Sequence, residues 1–269
     1  MSEPQILVKL HGGLGNNLYR FAAFETFKNQ FDISLQYTGH RNINTGNSAF
    51  GLLCGTIYQN SIYSSLKVDF EYQSNIKRVE LIETGPNYFE DFNCLLNENY
   101  YLIDGWYQNY NLFKNKTFVR NIFDFSKIQI STNNLKILLN EKCACLHVRR
   151  GDYVGIPHIL PPTPVNYYNN AIDSIGDYDH LFIFSDDLPW CYNSFNYNKM
   201  TFVDTDELEA LKMMTLCSKH IICNSSFSWW GAYLSDSEKV IMPNVWEGPG
   251  VEYPRPLRHY QCDGWQIIS

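Results

Sequence analysis

The sequence predicts an α/β protein in which parallel sheets carry helices on their faces. Three observations point there. From about residue 140 onward, short apolar runs alternate with segments of helical length, the rhythm of a parallel sheet. The first strand pattern, Ile6–Leu10, runs into a glycine-rich turn, His11-Gly-Gly-Leu-Gly-Asn-Asn17, and then into a helix. The short apolar run Cys143–Val148, of the kind that makes a buried strand, stops at Arg149-Arg150-Gly151-Asp152. A strand ending in this way delivers two guanidiniums to the carboxyl edge of a sheet, where open α/β sheets bind ligands.

In the first half, Leu18, Phe21, Ala22 and Glu25 share one helical face, and Phe24 and Phe27 broaden its apolar side. Strand, glycine turn and helix together let a ligand approach bare backbone at a helix amino end. The spacing of Gly12, Gly13 and Gly15 is not the dinucleotide fingerprint, and a plain tight turn would look the same. Ile33–Tyr37 reads as a second strand. Residues 38–98, rich in Asn, Ser and Tyr and poor in periodicity, are expected to form short helices and loops, with a strand over Val79–Ile82. Tyr100–Asp104 is a clearer strand. It leads into Gly105-Trp-Tyr-Gln-Asn-Tyr110, an aromatic and polar cluster that could line a sugar cleft or pack as a loop. Residues 115–127 read as a connection and Asn133–Asn140 as a short helix. The boundary between two halves falls near 125–140, dividing the chain into 1–130 and 131–269.

In the second half the elements follow in order. Val165–Ile175 is helical, and Leu181–Phe184 is a strand ending in Ser185-Asp186-Asp187. Leu188–Phe195 is a short helix with Pro189 in its first turn. Thr201–Val203 is a strand and Asp206–Ser218 a helix. His220–Cys223 is a strand ending in Asn224-Ser-Ser-Phe-Ser228, Trp229–Leu234 a helix, and Lys239–Met242 the final strand.

With 269 residues, 45% of them hydrophobic, the chain can bury a large core in one or two domains. Aromatic residues make up 16%, and core packing is the first use expected of them. A net charge of −7 argues against a general polyanion binder such as a nucleic-acid-binding protein. An anionic ligand would have to be held by a local arginine site. The eight cysteines include no C-x-x-C pair and lie in apolar runs, as reduced core thiols of a cytoplasmic protein would. The amino terminus reads as no signal peptide, and no stretch approaches the roughly 20 apolar residues of a membrane span.

Three strand ends then face one crevice: Arg149-Arg150-Gly151-Asp152, Ser185-Asp186-Asp187 and Asn224-Ser225-Ser226-Phe227-Ser228. Guanidinium is planar, forked and always charged, so it suits phosphate oxygens. The serine-rich segment precedes a helix, so its hydroxyls and N–H groups would point at an anion or simply cap that helix. Together these groups make a diphosphate site. Asp204-Thr205-Asp206 matches a metal-holding D-x-D pattern, but its place before a helix, with Glu209 following, favours capping. Asp186-Asp187 could pair on a metal, bind a ribose or cap. His11, His147, His158 and His220 show no ligand spacing. His147 could orient an arginine, face the ligand or sit satisfied in the core.

His147-Val-Arg-Arg-Gly-Asp-Tyr153 resembles the H-x-R-R-x-D signature of the α-1,2-fucosyltransferases of glycosyltransferase family 11. Gly12-Gly-Leu-Gly-Asn16, Gly105-Trp-Tyr-Gln-Asn109, Phe184-Ser-Asp-Asp187 with Trp190-Cys191, and Asn224-Ser-Ser-Phe-Ser-Trp-Trp-Gly231 resemble further motifs of that family in the same order. The resemblance implies a GT-B-like architecture of two Rossmann-like halves with the donor site in the cleft. It assigns 1–130 to the acceptor side and 131–269 to the nucleotide sugar. It also implies an inverting transfer of fucose from GDP-fucose to a hydroxyl of a galactose-containing glycan acceptor, O2 of a terminal galactose being the expected position. No cofactor and no metal are expected.

Arg149 and Asp152 are the expected catalytic residues. His147, Arg149, Arg150, Ser185, Asp186, Asn224, Ser225, Ser226, Phe227, Gly13 and Asn16 are the expected donor-binding set. Arg149 and Arg150 would neutralise the departing diphosphate in place of a metal. Asp152 is a candidate base or a brace for the arginines; Glu25 and His11 are weaker candidates for the base. The chain departs from the family at Asn17 and Tyr19-Arg20. It also departs at Ala210, where many members have an aspartate that plausibly reads the guanine edge; Glu207 or Glu209 could substitute. A cytoplasmic protein is expected, with no obligatory membrane contact, though a lipid-linked acceptor would draw it to a membrane surface. The rivals are a same-fold transferase with another nucleotide sugar and a non-catalytic carbohydrate- or nucleotide-binding protein.

Overall fold

Each half of the chain is organised on an open sheet whose described strands all run parallel. The computed structural model describes residues 5–31, 35–39, 61, 62, 66, 68, 69, 78–80 and 100–269. The chain divides into two units, Met1–Lys127 and Ile128–Ser269.

In the first unit the elements are β1 (Gln5–Leu10), α1 (Leu14–Phe31), β2 (Leu35–Gly39), β3 (Val68–Asp69), β4 (Arg78–Glu80), β5 (Tyr100–Asp104) and α2 (Lys116–Ile122). The strand order is β3-β2-β1-β5-β4, and every pairing is parallel. The order reverses between β1 and β5, so the turns that follow these two strands share one edge. Helix α1 is buried almost all round, from Leu14 to Leu18 and on through Phe21, Ala22, Phe24 and Phe27, as suits a helix at the centre of a core.

Two expectations need correcting here. Helix α1 starts at Leu14 rather than Leu18. Its poor opening residues are stitched down by Asn17, whose side-chain amide donates to the Gly12 and Gly13 carbonyls at 3.3 Å each. The supposed connection over 115–127 contains α2. Asn115 caps it by accepting from Phe118 N at 3.0 Å, and Val119 and Ile122 are its buried side. The expected helices and loops of 38–98 lie mostly outside the described residues, as do Ile33 and Ser34.

The second unit runs α3 (Thr132–Asn140), β6 (Cys143–Val148), α4 (Val165–Ile175), β7 (His180–Ser185), α5 (Leu188–Ser194), β8 (Met200–Val203), α6 (Glu207–Leu216), β9 (Lys219–Ile221), α7 (Ser226–Leu234), β10 (Lys239–Pro243) and β11 (Gln266–Ile268). Its sheet has the order β11-β10-β9-β6-β7-β8, again parallel throughout. Strand β6 is central and fully buried. Its alternate residues serve two cores, since successive side chains leave opposite faces of a strand. Ala144, Leu146 and Val148 pack with Tyr167, Tyr168, Ala171 and Ile175 of α4. Cys143 and Cys145 pack with Ala210, Met213 and Met214 of α6 and with Cys217. These two thiols do point the same way and are buried.

Strand β10 is not the last. Strand β11, a three-residue edge strand, closes the sheet beside it. Among the described residues no helix is long and apolar enough to cross a membrane.

Candidate functional site

The sheet of the second unit reverses its order between β6 and β9, and the sequence-predicted site residues of this unit gather at the carboxyl ends of these strands and of β7. The in-phase pairing of β6 with β7 sets the first part of the site. Val148 lies opposite Ser185, so the arginines after one strand meet the aspartates after the next. Arg149 Nη1 contacts Asp186 Oδ2 at 2.9 Å, and its Nη2 contacts Asp152 Oδ1 at 2.7 Å. Arg150 donates its backbone N–H to Asp186 Oδ1 at 2.9 Å and its Nε–H to Asp187 Oδ2 at 3.0 Å. The guanidinium of Arg149 lies 5.5 Å from the Tyr153 ring centroid, and that of Arg150 lies 4.4 Å from the Trp190 ring centroid. Both forks are therefore held in one orientation before any ligand arrives. Gly151 permits this closeness, because a Cβ there would lie 2.3 Å from Asp186 Oδ2.

For Asp187 the sequence leaves open a ribose ligand, a metal ligand or a cap. It caps α5, accepting from Trp190 N at 3.1 Å, while its other oxygen holds Arg150. The hydroxyl of Ser185 accepts from Asp187 N at 2.9 Å and shapes the same turn. Asp152 is the most open of the three carboxylates, with its side chain 55% exposed, and it pairs with Arg149. Asp206 is a helix cap, as favoured: it accepts from Leu208 N and Glu209 N at 2.9 Å each. Glu209 accepts from Ser131 N at 2.8 Å and also from the Thr205 hydroxyl, so its carboxylate is already engaged. Ala210 is buried in the α6 core.

The second part of the site comes from the β9–α7 turn. Helix α7 begins at Ser226 rather than Trp229, so the Asn-Ser-Ser-Phe-Ser segment is cap and first turn. Ser225 is the cap, accepting from Phe227 N at 3.3 Å. The first turn of a helix leaves N–H groups without intrahelical acceptors, and the half-buried Ser226 lies among them. Asn224 is buried and committed elsewhere. Its amide donates to the Pro161 and Trp246 carbonyls at 3.0 Å each, and its oxygen accepts from the Thr163 hydroxyl at 3.1 Å. It thus clamps the loops that follow β6 and β10 to the site, and contributes its geometry rather than a free polar group.

His147 links the two parts. Its ring is buried, packs 5.5 Å from the Phe227 ring, and places Nδ1 3.2 Å from the thiol of Cys223. Burial, with the Arg149 charge adding to it, lowers the His147 pKa to about 3, so the imidazole is neutral. Burial also pushes the Cys223 thiol up to about 12. The pair is a neutral hydrogen-bonded contact, unlike the thiolate–imidazolium pair of a cysteine nucleophile. Sequence reasoning missed Cys223, Tyr153 and Trp190 as supports. A usable signal for the arginine–aspartate pairing was present: two consecutive arginines and two consecutive aspartates each follow an apolar strand.

Gly13 and Asn16 belong to the first unit, where the turns after β1 and β5 meet. The Gly13 carbonyl accepts from Asn16 N at 3.2 Å and Asn17 N at 3.3 Å. Asn16 Oδ1 accepts from Gln108 Nε2 at 2.7 Å, joining the two turns. Arg20 is completely buried, yet it donates across the same junction, from Nε to the Gly105 carbonyl at 2.7 Å and from Nη1 to the His11 carbonyl at 2.6 Å. Its Nη2 faces the His11 ring, 2.7 Å from Nε2. Glu25 accepts from the Tyr37 hydroxyl at 2.8 Å on the side of α1 that packs on β2.

The model of "Glycosyl transferase family 11" matches residues 65–249. An α-1,2-colitosyltransferase of Escherichia coli is 25% identical over 90% of this chain and 92% of its own. The O-antigen biosynthesis glycosyltransferase WbnK of E. coli is 38% identical over 120 residues, a match covering 40% of this chain and only 40% of that relative's length. Among solved structures, the fucosyltransferase NodZ from Bradyrhizobium superposes with a TM-score of 0.58 at 11% identity, covering 93% of this chain and 98% of that one. An α-1,6-fucosyltransferase NodZ crystallised with GDP gives 0.53 at 10% identity over 87% and 93% of the two chains. At such identities the likeness speaks for the fold alone, and that fold is GT-B, with two Rossmann-like units. With the family model covering well over half of its length, this chain belongs to glycosyltransferase family 11.

Proposed function

We propose that this protein is an inverting fucosyltransferase that moves fucose from GDP-fucose to a hydroxyl of a galactose-containing glycan, O2 of a terminal galactose being the position favoured. Family membership supports glycosyl transfer from a nucleotide sugar. The observation that carries the donor-side assignment is the pair of braced arginines after β6, next to the α7 amino terminus across the β6–β9 switch point.

Cleavage of the glycosidic bond leaves negative charge on the diphosphate. Preoriented guanidiniums meet that charge without reorganising, and such donors are worth most where charge develops. Arg149 and Arg150 are the groups assigned to the diphosphate, with Ser225, Ser226 and the first-turn N–H groups of α7 beside them. Three aspartates surround the two arginines, so the cluster by itself carries no excess positive charge. Asp152, the most exposed of the three, is the partner that a diphosphate would displace from Arg149. In this reading a bound metal has no step to perform.

Neutral His147 and buried Asn224 position this site; they do not transfer protons. Glu209 is occupied by Ser131 and Thr205, so among the described residues it is not a ready replacement for a guanine-reading aspartate at Ala210.

A second reading keeps the chemistry and changes the sugar. It is favoured by the α-1,2-colitosyltransferase relative; colitose is fucose without its 3-hydroxyl. One donor panel decides between them. The protein is incubated with EDTA, a galactose-terminated acceptor and either GDP-fucose or its colitose analogue, and released GDP and glycosylated product are followed by mass spectrometry. Turnover with GDP-fucose is expected. Turnover with only the colitose donor replaces the first reading by the second. No turnover with either, together with no calorimetric GDP binding, ends both.

A further inference from the structure

At the junction of β1 and β5 in the first unit, a tryptophan stands 39% exposed yet is held from three directions. The Trp106 and His11 rings meet edge to face, with centroids 4.6 Å apart and planes at 76°. The guanidinium of buried Arg20 lies 5.2 Å from its ring centroid. Gly12, at φ +73°, passes so close that a Cβ there would fall 3.1 Å from Trp106 Cζ3 and 2.8 Å from Asn16 Nδ2.

This arrangement is expensive for a surface aromatic. A fully buried arginine is desolvated at considerable cost, and here its hydrogen bonds go to the carbonyl of His11 in the turn after β1 and to that of Gly105, the residue before Trp106. The effect is to immobilise a large ring that remains open to solvent. The same point above Gly12 is bordered by the ring edge and by the Asn16 amide. The Asn16 oxygen is already taken by Gln108, which turns its NH₂ into a donor of known position. A partly exposed aromatic ring with a hydrogen-bond donor at its rim suits a pyranose, which offers a face of C–H groups bordered by hydroxyls. Aromatic rings with a polar neighbour serve such amphipathic partners. Holding the ring in place beforehand removes the ordering cost of binding.

We propose that Trp106, with Asn16 at its rim, is a saccharide-binding platform that stacks against the C–H face of the acceptor's galactopyranose. The platform deepens the transfer reading by naming an acceptor subsite, and it rests on that reading for its place in the reaction. Gly12 is part of it, because any side chain there would stand between the ring and the amide.

The test is saturation-transfer NMR on the full chain with lactose as the probe. Saturation of the galactose H3, H4 and H5 protons is expected in the parent. It should persist in Arg149→Ala, which alters only the donor side, and disappear in Trp106→Ala. Equal saturation in Trp106→Ala overturns the proposal, and so does an absence of saturation in the parent. Should Trp106→Ala fail to fold, Trp106→Phe serves. It retains a smaller ring and assigns the Trp106 signal in 5-fluorotryptophan-labelled parent. That signal should move on lactose addition, and a stationary signal overturns the proposal. In turnover assays, Trp106→Phe or Ala should raise acceptor KM about tenfold, since one stacking contact is worth roughly an order of magnitude. GDP affinity should be unchanged. If the parent shows Trp106-dependent lactose binding but no transfer from GDP-fucose, the donor assignment fails and the platform stands.

Discussion

Replacing Arg149 tests the donor assignment most directly. The side chain is 16% exposed and makes two charge-assisted contacts, at 2.7 Å to Asp152 and 2.9 Å to Asp186. Arg149→Ala removes a preoriented donor from the position assigned to the leaving diphosphate. The loss of one such donor lowers kcat by about 10²–10³, or roughly 2.7–4 kcal/mol of transition-state stabilisation. The fold should barely notice. Asp186 keeps its bond from Arg150 N at 2.9 Å and is partly solvated, while Asp152 is mostly in water already. The melting temperature should fall by only a few degrees, as for the loss of partly exposed ion pairs. Arg149→Lys keeps the charge and loses the fork. A single ammonium cannot hold both carboxylates or two phosphate oxygens at once, so lysine should rescue only part of the loss. The assay is single-turnover fucose transfer from GDP-fucose, paired with calorimetric GDP binding and thermal melts of all three proteins. A kcat for Arg149→Ala within about threefold of the parent, in a folded protein that still binds GDP, refutes the reasoning.

Three further predictions use other parts of the site. Asp187→Ala removes a helix cap and the Nε partner of Arg150 together; the cap alone should cost about 1 kcal/mol, a fall in Tm of roughly 2–4 °C, with weaker GDP binding measured alongside. His147 is neutral when folded and holds a pKa of about 3, well below its ordinary value near 6.5. The unfolded chain therefore takes up the extra proton as pH falls. The stability reserve from neutral His147 is complete above about pH 6.5 and is lost toward pH 3, by up to about 1.4 kcal/mol per unit from this group. Urea unfolding at pH 7.5 and pH 5 should show a smaller acid loss in His147→Gln than in the parent, and equal losses would contradict the assignment. Asn224→Asp replaces two amide donors by an acceptor facing the Pro161 and Trp246 carbonyls; a loss of about 2–4 kcal/mol is expected from denaturant midpoints, and an unchanged midpoint would show that the clamp contributes nothing.

Much of the second unit was legible from the chain alone. Parallel strands covered on both faces read as near-continuous apolar runs, and Cys143–Leu146 in β6, Leu181–Phe184 in β7 and Val240–Met242 in β10 are such runs, punctuated by charged or serine-rich turns. Local chemistry also marked Asp206 as a cap and placed the two arginines at a strand end, because cap and strand-end signals lie within a few residues of the feature they specify. The elements that escaped were those whose stability is not local. Helix α2 is short and mostly polar, and only the burial of Val119 and Ile122 and the Asn115 cap reveal it. Strand β11 is a three-residue edge element that exists because β10 offers it a partner.

The same division runs through the candidate sites. The sequence by itself determined which residue types stand at the carboxyl edges and in which order, since these are properties of single segments. Only the tertiary structure decided who meets whom. It brought Asp186 and Asp187 onto Arg149 and Arg150, set Cys223 against His147, turned Asn224 inward as a clamp, and buried Arg20 behind Trp106. Each of those contacts joins segments far apart in the chain through strand register and packing, and periodicity along one segment carries no information about its partner.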